Sequence, residues 1–153
     1  KNVHSTPMTA AQTAAKIRQN LADLRANRER ELQIIGADLS TLIKLRIQGS
    51  GENYLNAKFS PYTAGYAKQR TKKGFQTSYV DFTRSGRMWA SVYPDVQGNS
   101  AVMTVVISAH GQDNIDKVEG AVKKRGNILR PSQEELDLAE EANNLRVQKY
   151  LQI

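Results

Sequence analysis

Two histidines, His4 and His110, are the whole supply of imidazole in this 153-residue chain. His4 falls in an opening stretch without periodicity, and His110 stands beside Gly111 at the end of a strand-like run. Neither has a second ligand at helical spacing, so the pair carries no zinc pattern, and His110 reads as a turn residue. The chain contains no Cys, which removes disulfides, thiolate nucleophiles and Cys-based zinc sites together. It has no phosphate loop and no Gly-x-Ser-x-Gly elbow, and Gly49-Ser50 and Ser85-Gly86 are ordinary loop pairs. On these residues we expect no catalysis, no metal and no cofactor.

Charge is the remaining chemistry. The formal net charge is +7, and its excess is local: Lys58, Lys68, Arg70, Lys72, Lys73, Arg84 and Arg87 face the single acid Asp81 over residues 58–87. Such a patch favours DNA, an acidic protein surface or a lipid headgroup layer, and charge alone does not choose among them. Tyr62, Tyr66, Phe75, Tyr79, Phe82 and Trp89 interleave with these cations. That spacing suits base stacking on a nucleic acid, and equally an aromatic core over which Lys and Arg stems snorkel. No helix-turn-helix or other named DNA-reading motif accompanies it. A second cluster, Glu134, Glu135, Asp137, Glu140 and Glu141, reads as the solvated, dipole-matched start of a helix whose late residues include Arg146 and Lys149.

The elements that must position these groups fit one domain. Lys1 to Met8 reads as an extended arm, and residues 9–153 as a single α+β domain with a projecting N-terminal helix. Thr9 is a good N-cap, and Ile17, Leu21 and Leu24, then Leu32, Ile35, Leu39 and Leu42, recur at helical spacing to about Gln48. This predicts one long helix or two in tandem. Its apolar stripe lapses at Arg25 to Glu31, where solvated pairs are expected. Gly36 signals a bend or close packing, and Gly49, Ser50 and Gly51 end the helix. Ser60-Pro61 is the expected start of a second helix running to about Arg70, followed by a basic loop to Tyr79. Asp81 or Thr83 would cap a short helix holding Met88 and Trp89. Ser91 to Val96 and Ala101 to Ser108 predict a β-hairpin turning at Gln97 to Ser100. Helices at Asp113 to Lys124 and after Pro131-Ser132 complete a small antiparallel sheet flanked by helices. No stretch approaches the roughly 18 apolar residues of a membrane span, and no signal-peptide core is present, so synthesis in a cytoplasm is expected.

The segment Phe59-Ser60-Pro61-Tyr62-Thr63-Ala64-Gly65-Tyr66-Ala67-Lys68-Gln69-Arg70 resembles the tail-completion, neck and virion-morphogenesis proteins of tailed bacteriophages. Members carry an aromatic-Ser-Pro-like start, a Tyr-Ala-Lys-x-Arg helix and a basic Lys-x-Gly loop. Val80-Asp81-Phe82-Thr83-Arg84-Ser85-Gly86-Arg87-Met88-Trp89-Ala90-Ser91 is similar to the family's Leu-x-x-Thr-Gly-x-Met-x-x-Ser block, with Phe82 and Ser85 where Leu and Thr are common. The matching part covers about a fifth of the chain. The resemblance implies a structural virion protein forming a ring, hexamer or dodecamer, at the head-tail junction or tail end. It implies portal, connector or tail-tube proteins as neighbours, and no enzymatic activity.

On this reading Tyr66, Met88 and Trp89 anchor a helix pair against the hairpin. Arg70, Lys72, Lys73 and Arg87 are left outward, with Glu134, Glu135 and Asp137 of an adjacent subunit as acidic counterparts. The alternative function is a basic accessory protein that binds DNA, and non-specific contact with the genome is compatible with either.

Overall fold

A computed structural model describes residues 8–99 and 101–151. The arm expected over Lys1 to Met8 lies, but for Met8, outside the described residues. The described chain is α+β: six helices and one two-stranded antiparallel sheet. No helix in it is long and apolar enough to cross a membrane.

The long N-terminal helix runs about 40 residues with a bend. Its first part, α1 (Ala10–Ala26), opens with a capping box in which Thr9 Oγ1 accepts from the Gln12 N–H and the Gln12 side chain accepts from the Thr9 N–H. Asn27 makes the bend, its side chain donating to the Asp23 carbonyl at 2.8 Å. The second part, α2 (Arg28–Ser50), buries Gly36, Leu39, Ser40, Ile43 and Ile47 on one stripe and ends at Gly51 in the left-handed region. Burying Ile43 and Ile47 completely contributes about 1.5–3 kcal/mol each.

Strand β1 (Val92–Gly98) pairs with β2 (Met103–Ala109) in the register Val92 with Ala109 through Gly98 with Met103. The pairing therefore ends at Gly98 and Met103, so the turn falls slightly later than the composition suggests. Asn99 shapes it by accepting, through its side chain, from the Ala101 and Val102 N–H groups. Pro94 of β1 faces α2, and its carbonyl accepts from the Gln33 side chain at 2.9 Å. Gly36 marks the crossing, for a Cβ there would lie 2.4 Å from Pro94 Cβ and 2.6 Å from Val105 Cγ1. It is a close-packing glycine, and the bend lies nine residues earlier, at Asn27.

Four further helices complete the fold. Helix α3 (Ala64–Lys72) starts behind Thr63, later than Ser60, and continues past Arg70. The short α4 (Arg87–Ala90) starts at Gly86 in the left-handed region, not at Asp81 or Thr83. Helix α5 (Gln112–Arg125) packs on α4 and β2. The core joins Ile43, Ile47, Phe59, Val80, Met88, Trp89, Val92, Ala109, Ala121 and Ile128. Helix α6 (Gln133–Leu151) packs against α1 and α2.

Candidate functional site

Arg70 is buried, not outward. It is 3% exposed, because Asp81 and the loop after α3 close over it. Its Nη2 bridges both Asp81 oxygens at 3.1 and 3.2 Å, while Nε and Nη1 donate to the Gln76 and Thr83 carbonyls. The guanidinium lies 4.6 Å from the Tyr62 ring centroid and 5.4 Å from that of Phe75. Asp81 Oδ1 also accepts from Tyr62 Oη and from the Thr83 N–H, each at 2.9 Å. The Asp81 carbonyl takes the Trp89 indole N–H at 3.0 Å. Burial, then the hydrogen bond to Asp81, pushes the Tyr62 phenol up to about 12. This network leaves no charge of Arg70 for a partner. Its role is to fix the path of residues 73–86 against the core.

Met88 and Trp89 are buried as expected, 8% and 3% exposed. Tyr66 is not a core residue. At 37% exposed it stands edge-on to Tyr62, 5.2 Å between centroids, because the missing first turn of α3 leaves that face open. Tyr62, which the expected anchors omitted, takes the inner position.

The opening between α3, the loop entering α4, and α5 is a cleft of about 930 Å³. Tyr66, Val80, Phe82, Met88 and Ala121 are among its apolar walls, and its lining holds six cationic residues and no carboxylate. Arg70 is neutralised by Asp81. Arg125 is turned toward the chain, donating to the Ser60 and Pro61 carbonyls, and Lys117 donates to Asn114 Oδ1. Arg84, Arg87 and Lys124 are exposed and have no ion pair or side-chain hydrogen bond among the described residues. Phe82 holds a left-handed φ of +51° on this wall, a conformation costly to a bulky residue and sustained by the Asp81 network and by edge contact with Phe59 at 5.2 Å. Lys72 and Lys73 are exposed at the end of α3 but do not line the cleft. Sequence reasoning missed the contribution of α5. Lys117 and Lys124 stand seven residues apart, two helical turns, which puts them on one face, and that spacing was a usable signal.

The acidic cluster divides in the same way. Glu135 is 5% exposed: its carboxylate takes Arg46 Nε at 2.7 Å and Arg46 Nη2 at 3.2 Å. It also closes a capping box with Ser132, accepting from the Ser132 N–H at 2.7 Å while Ser132 Oγ accepts from the Glu135 N–H. It is internal, not a partner contact. Glu134 and Asp137, with Glu140 and Glu141, remain exposed. Glu31, expected in a solvated stretch, is also buried. It accepts from Lys149 Nζ at 2.9 Å and Tyr150 Oη at 2.8 Å. The Lys149 hydrogen bond, then that of Tyr150, holds its carboxyl below the ordinary value against the opposing effect of burial. His110 stacks on Tyr93 with centroids 3.5 Å apart and approaches Asp95 Oδ2 at 3.2 Å on the hairpin.

What this arrangement offers chemically is recognition of an anionic surface: unpaired cations at the rim of an apolar hollow, with one buried ion pair holding the rim in place. No protein-family model, no curated protein and no solved structure matches the chain.

Proposed function

We propose that this chain is a structural protein of a tailed-phage virion that joins copies of itself into a ring at the head-tail junction or tail end, linking connector to tail. The observation that carries the assembly reading is α1. Of its 17 residues only Asn20 is buried, and Ile17 and Leu21 are 41% and 43% exposed. A helix of this length is marginal in water by itself, and helices in proteins owe most of their stability to a covered apolar face. An incompletely covered apolar face on α1 is what an assembly element presents before its neighbour arrives. The placement in a virion rests on the resemblance of residues 59–91 to tail-completion and neck proteins. Portal, connector or tail-tube proteins are the neighbours this reading names.

The second reading, a DNA-binding accessory protein, draws on the three unpaired cations of the cleft. Sedimentation velocity with and without duplex DNA separates the two. A ring gives a discrete multiple of the 17.1 kDa chain mass without DNA. A monomer that gains mass only on DNA, with affinity falling steeply as salt rises, overturns the ring in favour of the accessory protein.

A further inference from the structure

Helix α6 carries a face that no other element covers and that matches the cleft in chemistry; of its acids, Asp137 accepts from the neighbouring Gln133 side chain at 2.8 Å. Glu134, Asp137, Leu138, Glu141 and Leu145 succeed one another at intervals of three, one, three and four residues, which brings all five within about a 100° arc of the helix. All five are exposed, with Leu138 at 46% and Leu145 at 64%. The opposite face holds Glu135 and Ala139, both buried against the chain's own body. Three carboxylates and two leucines thus stand outward on a rigid 19-residue helix whose inner face is pinned by Arg46 and Glu31.

We propose that this face of α6 docks in the basic cleft of a second copy of the chain, so that its carboxylates meet Arg84, Arg87 and Lys124 and its leucines cover the hollow beside Tyr66 and Phe82. The inference rests on the assembly reading above and names its interface. Charge complementarity carries it: the cleft's lining holds no carboxylate, while none of the five outward α6 positions is cationic. A nucleic acid would satisfy the cations alone and leave both leucines uncovered. Cleft and α6 face are different surfaces of one chain, so the contact is heterologous. Each copy offers one of each, which generates a closed ring if the rotation closes and a filament if it does not.

Two charge-reversal variants test this by sedimentation: Arg84→Glu, Arg87→Glu, Lys124→Glu in the cleft, and Glu134→Lys, Asp137→Lys, Glu141→Lys on the helix. Circular dichroism verifies that each is folded, which their exposed positions favour. Each variant alone is expected to lose association by about tenfold or more. Mixing the two in equal amounts is expected to restore it, since every contact in an alternating assembly again joins opposite charges. Wild-type-like association of either variant alone, or no recovery on mixing, overturns the docking mode and leaves the assembly reading intact. A wild type that stays at monomer mass overturns both. DNA binding that the cleft variant loses, in a protein whose association is unchanged, assigns the cleft to nucleic acid and also overturns it.

Discussion

The two halves of this molecule use the same residue types to opposite ends. In the half built from the end of α2, the hairpin and α3 to α5, an apolar core from Ile43 to Ile128 closes around the pair of Arg70 and Asp81 beneath Tyr62, and Arg84, Arg87 and Lys124 are left unpaired on the surface among the described residues. In the half built from α1, the start of α2 and α6, the contacts between helices include polar ones, Lys149 and Tyr150 on Glu31 and Arg146 on Asp38 at 2.9 Å, while Ile17, Leu21, Leu138, Leu145 and Leu151 stay exposed. A buried ion pair stabilises weakly and specifies geometry, whereas uncovered leucines on a helix are available to a partner. The first half therefore reads as a scaffold that closes its own core and leaves the cleft open on one side. The second reads as a surface completed by association.

The largest effects should fall on the scaffold. Asp81→Ala strands the Arg70 guanidinium in the interior and is expected to destabilise by about 3–5 kcal/mol. Trp89→Ala, removing a buried ring and its bond to the Asp81 carbonyl, should cost a similar 3–5 kcal/mol or so. Chemical denaturation of both variants checks this, and wild-type midpoints would erase the distinction between the halves. Gly36→Ala is next. Its methyl meets Pro94 and Val105 at less than van der Waals distance, so overpacking of about 1–3 kcal/mol is expected from the same measurement. A neutral result would mean that α2 and the hairpin separate freely.

The smallest effect is expected in the α1–α6 half, at Glu31. Because the folded Glu31 carboxyl titrates below its ordinary value of 4.5, its contribution is complete above that value and is lost as pH falls through the folded one. Thermal melts should therefore show Glu31→Gln less stable than wild type at about pH 6, with the difference shrinking toward about pH 3. A difference independent of pH would show that Glu31 acts by shape alone.

Local chemistry was legible in the sequence and long-range pairing was not. Thr9 as a cap, Gly51 as a stop, the hairpin, and the burial of Met88 and Trp89 all follow from residues a few positions apart. Arg70 reads as a surface cation in the sequence because its partner comes from a loop 11 residues on, and nothing in a basic run distinguishes the one cation that folds inward. Glu135 had a visible signal in the pattern Ser132-Gln133-Glu134-Glu135, a capping box, but its bond to Arg46 spans 89 positions. The cleft needed α3 and α5 side by side, a tertiary fact. Its cations were readable as a patch, yet which of them stay unpaired depended on where Asp81, Asn114 and the Ser60 carbonyl came to lie.

Whether α1 joins copies of the chain is decided by sedimentation velocity of the wild type beside an Ile17→Asp, Leu21→Asp variant. Both positions are exposed in the single chain, so the variant should remain folded, and its melting temperature should be close to the wild type's at a concentration where neither associates. A wild type sedimenting as a discrete multiple of 17.1 kDa is expected, with the variant shifted toward the single-chain mass. An unchanged assembly in the variant, or a wild type at single-chain mass across the whole concentration range, would contradict that role of α1.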